Sequence, residues 1–245
     1  MFDSGETLID TNGLSFEQFD ELNDASHFAD VLADIPPFDH ESLRDAAMAD
    51  AFTPEVLENW AELAPEQREQ VAEQAVDNLS VALGLNDIQV NFKDMEPGLY
   101  GTHTTDAITI NSRALNDTSP GALRELTDTI AHETYHQLQQ EAVENPDKFG
   151  VSAEQANAWR DNYDNYWSQE DDPQAYREQP LEASAWAFGE GAADALGLAK
   201  QPVEMARVSV TATPNGTAVT YGNDSSAWTV LPNGGGIAFT NTYGG

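Results

Sequence analysis

Thr129-Ile130-Ala131-His132-Glu133-Thr134-Tyr135-His136-Gln137 is the stretch on which the reading of this chain turns. His132 and His136 stand four residues apart, which on an α-helix puts both imidazoles on one face, close enough to share a metal ion. Glu133, beside the first of them, is placed to act as general base on a water at that ion. The pattern has this meaning only on a helix, and the flanks predict one. Ser119-Pro120-Gly121 reads as a helix start, with Ser119 as N-cap and Pro120 at the first helical position. Asn145-Pro146 reads as the stop, so the helix is expected to run to about Glu144. Ala131, Tyr135, Leu138 and Ala142 follow the spacing of a buried stripe. The two His and Glu133 lie at the edge of that stripe, anchored on one side and open to a cleft on the other.

Upstream, Pro54 and Pro65 each start a helix. The second carries the stripe Ala72, Ala75, Val76, Leu79 and Leu83 and ends at Gly84. Residues 88–92 and 107–111 alternate like strands, with Glu96-Pro97-Gly98 as a turn between them. Downstream, residues 159–177 read as one helix plus a loop. Gln179-Pro180 opens a last helix, which Gly197 stops. Four β-rich runs, 208–213, 217–221, 227–231 and 237–242, are separated by Gly- and Asn-containing turns and predict a small β-meander. Their Gly-rich connections lack the repeated Asp positions of a calcium-binding β-roll, so no calcium is assigned.

The expected class is therefore α+β, mostly helical with a small sheet, plus a short C-terminal β-meander. Three compositional zones suggest the organisation. Residues 1–51 read as an acidic helical N-terminal extension, in which Phe16, Phe19, Leu22, Val31 and Leu32 would form short amphipathic helices broken by Pro36-Pro37. Residues 52–200 read as the main domain and 201–245 as a β-rich tail.

The chain has 245 residues, no Cys and a formal net charge of -33. Without Cys there is no disulfide framework, and a metal must be held by His and carboxylates. The charge argues against binding nucleic acid or anionic membranes through the general surface. It fits solubility in high salt, a basic immunity or chaperone partner, or simply a solvated acidic surface. It is uneven: Arg44 is the sole base in residues 1–50, and residues 201–245 are almost uncharged. No apolar run is long enough to span a bilayer. Met1-Phe2-Asp3-Ser4-Gly5-Glu6 has no basic or apolar leader character, so no ordinary signal peptide is expected.

A catalytic zinc takes three protein ligands and keeps one position open. A third His would have to be His27, His40 or His103. A carboxylate fits better, and Glu182 is the best placed, in the first turn of the helix opened by Pro180. Small residues at Ala183, Ser184 and Ala185 would let that helix approach the His132 helix closely. Spacing leaves Glu178, Glu141, Glu144 and Glu170-Asp171-Asp172 open as alternatives. Asp128, one turn before His132, is a candidate to support it, though a solvated role is expected.

The order strand, turn, Ile108-Thr109-Ile110-Asn111, the His132–His136 helix, then Tyr176-Arg177-Glu178-Gln179-Pro180-Leu181-Glu182-Ala183-Ser184-Ala185-Trp186-Ala187-Phe188-Gly189 resembles a known family. It looks like the small zincin-like metallopeptidase domains of the gluzincin kind (HExxH…E) found in bacterial polymorphic toxins and phage-associated proteins. The resemblance covers roughly residues 65–197. It implies Zn2+ held by His132, His136 and Glu182, with Glu133 as general base in peptide-bond hydrolysis. Larger gluzincins carry an Asp four residues after the ligand Glu to support a His; Trp186 stands there.

The resemblance implies an effector acting on a protein or peptide substrate and secreted by a signal-peptide-independent route, with a cytoplasmic location as the alternative. Strand 107–111 is the expected cleft edge, and Tyr176, Tyr100 and His103 are candidates to stabilise an oxyanion. Two other readings stay open. One is a peptidoglycan amidase or endopeptidase with the same zinc chemistry. The other is a non-enzymatic acidic binding protein on a zincin scaffold.

Overall fold

The computed structural model of the chain describes residues 25–199, except 97, 106 and 120, and beyond them four strands within residues 209–241. The chain divides into two compact units, up to Ala199 and from Lys200 onward. In the first, the order is α1 (Ala25–Ala33), α2 (His40–Ala51), α3 (Pro54–Asn59), α4 (Pro65–Leu83), β1 (Gln89–Lys93), β2 (Gly101–Thr104) and β3 (Ala107–Asn111). These are followed by α5 (Ser112–Leu115), α6 (Ala122–Glu144), α7 (Ala153–Asp164), α8 (Pro173–Glu178) and α9 (Pro180–Ala195). The unit is α+β: mostly helical, with one three-stranded mixed sheet.

Local chemistry explains the helix ends. Asp39 caps α2 by accepting from the Ser42 amide and hydroxyl at 3.2 and 2.8 Å. Helix α4 starts at Pro65 and ends at Gly84, whose φ of 67° suits glycine. Ala72, Ala75, Val76 and Leu79 of α4 are fully buried, and Ala47 and Met48 of α2 meet them in one core. Helix α2 is thus a core element although it belongs to the acidic N-terminal zone. A boundary at residues 51/52 would cut this core, so the extension read over residues 1–51 does not hold for α2. Phe16, Phe19 and Leu22 lie outside the described residues.

Helix α6 ends at Glu144 as expected but starts differently. Its first residue is Ala122, after Gly121 at φ 92°, and Ser119 accepts from the Ala122 amide through its backbone carbonyl. Ser119 is therefore not the N-cap, and Pro120 lies outside the described residues. The buried face of α6 is Ile130, Ala131, Leu138 and Ala142, with Tyr135 stacked on Phe188 of α9 at 4.5 Å. Segment 159–177 holds parts of two helices rather than one. Asp172 caps α8 by accepting from the amides of Gln174 and Ala175, with Pro173 at its start.

The sheet order is β1-β3-β2, with β1 parallel and β2 antiparallel to β3. Strand β3, with Ile108 and Ile110 fully buried, is central and not the cleft edge. The edge along α6 is β2, whose four residues Gly101-Thr102-His103-Thr104 are too short and polar to show apolar alternation. A Cβ at Gly101 would stand 2.7 Å from Thr129 Cγ2 and 3.3 Å from Glu133 Cγ. Glycine is what lets this edge lie against the helix that carries Glu133.

The second unit is an antiparallel meander of β4 (Ser209–Thr213), β5 (Gly216–Thr220), β6 (Ser226–Val230) and β7 (Ile237–Asn241), in that order. Among the described residues no helix is long and apolar enough to cross a membrane.

Candidate metal centre

Helices α6 and α9 pack through small residues. Ala185, Ala192 and Ala193 are fully buried, and a Cβ at Gly189 would fall 2.2 Å from Asp128 Oδ1. This close approach brings Glu182, in the first turn of α9, over the His132–His136 face of α6. The first turn of α9 is held from α7. Asn162 accepts from the Leu181 amide at 3.0 Å and donates to Gln179 Oε1 at 2.8 Å. A helix amide without an internal partner is satisfied by that side chain.

The Nε2 atoms of His132 and His136 lie 3.0 Å apart. Glu182 faces them with Oε2 3.4 Å from His132 Nε2 and Oε1 3.4 Å from His136 Nε2. His132 and Glu182 are 5% and 1% exposed. Among the described residues these three form the group whose ligand atoms all lie within 4.8 Å of one another. A tetrahedral zinc with bonds of about 2.0–2.1 Å spaces its ligand atoms about 3.3 Å apart. Glu182 Oε2 is buried and has no hydrogen-bond partner. An anionic oxygen left unbonded beside two imidazole nitrogens suits a cation better than a hydrogen-bond network. The donor set, two N and one O, fits zinc.

The second nitrogens of the two rings differ. His136 Nδ1 meets Gln139 Oε1 at 2.8 Å. His132 Nδ1 is buried without a hydrogen-bond partner, as is Asp128 Oδ1 one turn away. Asp128 is 7% exposed, so the solvated role expected for it is wrong, and the reason is Gly189 packed upon it. Burial, above all, pushes its carboxyl up to about 6. Trp186, at the position where an Asp would support a His, instead sets its ring edge to face against His132 at 4.6 Å. The Arg177 guanidinium lies over that indole at 4.8 Å.

Glu133 is half-buried at the cleft wall. Desolvation pushes its carboxyl up to about 7, and Glu182 adds to this, against His132 and a hydrogen bond from the His103 amide. Burial and then His132 hold His136 down, at about 4. For His132 burial also acts downward, but Glu182, Glu133 and Asp128 together outweigh it and raise the ring. Glu182 is held below its usual range: burial acts upward, and His132, His136 and the Tyr166 phenol outweigh it.

A cleft of about 470 Å³ opens on this cluster. Leu99, Gly101, Thr102 and His103 line one wall, and Tyr163, Tyr166 and Tyr176 line another. Tyr176 and His103 are therefore at the cleft, while Tyr100 is 39% exposed and not part of its lining. His103 Nε2 meets Gln137 Oε1 at 2.8 Å and its ring stands 6.2 Å from His136. It is a wall residue outside the ligand cluster. His40 sits at the start of α2, away from the cluster, and the side chain of His27 lies outside the described residues.

Four of the competing carboxylates have other partners. Glu141 accepts from Gln137, the Asn86 amide and Lys148, Glu178 accepts from Gln174, and Asp171 and Asp172 serve turns and caps. Gln139, Tyr163, Tyr166 and Asn162 were missed in the sequence. Gln139, three residues after His136, was the one with a local signal. Compared with known protein families, curated proteins and solved structures, the chain has no match.

Proposed function

We propose that this chain is a zinc metallopeptidase of the zincin-like, gluzincin type, with His132, His136 and Glu182 as ligands and Glu133 as general base. The observation that carries the reading is the convergence of three ligand atoms, from buried His132 and Glu182 and half-buried His136, at an open cleft that Glu133 also lines. Bound by these three residues, zinc would supply Lewis acidity toward a carbonyl oxygen and bring a water's pKa toward neutrality.

The protein's own groups supply the rest. Glu133 lines the cleft beside the ligand cluster, where it is placed to take the proton of the attacking water and deliver it to the leaving amine. The β2 edge offers backbone groups to an extended chain beside Glu133. Tyr166 and Tyr176 reach the cluster from the opposite wall. Burial first, and then Glu182, raises both phenols, keeping them protonated as hydrogen-bond donors.

An extended polypeptide suits this arrangement, because the cleft is flanked by a strand edge and by half-exposed Leu99, Tyr163 and Tyr166. The resemblance to toxin domains supports a secreted effector acting on a protein. The test joins metal analysis to hydrolysis of a broad protein mixture. About one zinc per chain is expected, with cleavage reduced about 10²–10⁴-fold by Glu133→Gln while zinc stays bound. A protein without zinc, or full cleavage by the zinc-loaded variant, overturns the reading.

A further inference from the structure

We propose that Gln139 is the positioning residue of the metal centre, fixing the tautomer of His136 and tying the helix of the two His to that of Glu182; this rests on the zinc-site reading above. Gln139 is fully buried, three residues beyond His136 on the same helix face. Its amide nitrogen lies 2.9 Å from the Leu181 carbonyl oxygen and 2.8 Å from Ser184 Oγ. A peptide carbonyl accepts and never donates, so it decides which end of the amide faces it. The nitrogen must point to Leu181, and Oε1 is thereby turned to His136 Nδ1 at 2.8 Å.

That oxygen only accepts, so Nδ1 carries the hydrogen and Nε2 keeps its lone pair. Nε2 is the atom aimed at Glu182 and His132. A backbone carbonyl next to one ligand thus sets the tautomer of another, through a single side chain. Ser184 secures the same junction, donating to the Pro180 carbonyl at 2.6 Å and lying 3.3 Å from the Trp159 indole N–H. In this way the bracket spans α6, α7 and the first turn of α9. It supplies the outer hydrogen bond that a ligating His normally has, from a residue on the His helix itself.

Two measurements decide the proposal. Zinc affinity, read by competition with a chromophoric chelator, is expected to fall about 10–100-fold in Gln139→Met, which keeps the side-chain length and removes its hydrogen bonds. Nitrogen NMR of metal-free wild type, at a pH where the imidazoles are neutral, is expected to show His136 as the Nδ1–H tautomer; this reading needs no variant to fold. Where Gln139→Met folds, the tautomer preference is expected to be lost with the affinity. Wild-type zinc affinity in Gln139→Met, or an Nε2–H tautomer in wild-type protein, overturns the proposal. A wild type that binds no zinc overturns the zinc-site reading, and the tautomer then decides the role of Gln139 in orienting His136.

Discussion

The phenol of Tyr166 donates to Oε1 of Glu182 at 2.5 Å, from the segment between α7 and α8 to the first turn of α9. A half-exposed tyrosine at the mouth of the cleft therefore ends on a carboxylate that is 1% exposed. The same hydroxyl is within the wall that a scissile carbonyl would face. Tyr166→Phe is expected to keep about one zinc per chain and to lower kcat on the order of 10²-fold, the usual cost of one lost oxyanion donor. Steady-state kinetics with metal analysis checks it; an unchanged kcat would rule Tyr166 out as that donor.

Glu182→Gln keeps the size of the side chain and removes its charge. Zinc at 100 times its Kd should stabilise the wild type by about 2.7 kcal/mol through mass action alone. Most of that gain should vanish in Glu182→Gln. Denaturant melts with and without zinc measure it, and an equal gain in both proteins would remove Glu182 from the ligand set.

Gly101 tests the placement of the cleft edge. An alanine Cβ there meets Thr129 Cγ2 at 2.7 Å and Glu133 Cγ at 3.3 Å, so β2 or the α6 side chains must move. A cost of about 1–3 kcal/mol is expected from such overpacking. Cleavage should fall further than stability explains, because the displaced neighbour is the proposed base. Urea melts beside kinetics on Gly101→Ala separate the two effects.

His40 gives a pH dependence away from the metal centre. Burial holds its ring below the ordinary 6.5, outweighing a hydrogen bond with the Phe149 carbonyl and the charge of Asp39. The folded state therefore binds this proton less readily than the unfolded chain does. The stability is fully present above 6.5 and is lost as pH falls from there through the depressed folded value. The acid side of the stability–pH curve should be flatter in His40→Gln than in wild type, as followed by thermal melts across that window.

Much of the helical frame was legible because its signals are local. Pro54, Pro65 and Pro180 mark starts, Gly84 and Asn145 mark ends, and helical spacing puts His132, Glu133 and His136 along one edge of the buried stripe. The start of α6 was misread because Ser119-Pro120 has the form of a cap while Gly121 at φ 92° precedes the first helical residue. Asp128 was misread because its burial depends on a glycine sixty-one positions later in the chain (128 to 189).

The sequence by itself determined the chemistry on one helix, since residues four apart on an α-helix meet whatever surrounds them. Only the tertiary structure decided which carboxylate joins them, that β2 and not β3 borders the cleft, and that Gln139 faces Leu181. Those depend on α6, α9 and the sheet edge coming together at Gly189 and Gly101, contacts between residues far apart in the chain that no local spacing encodes.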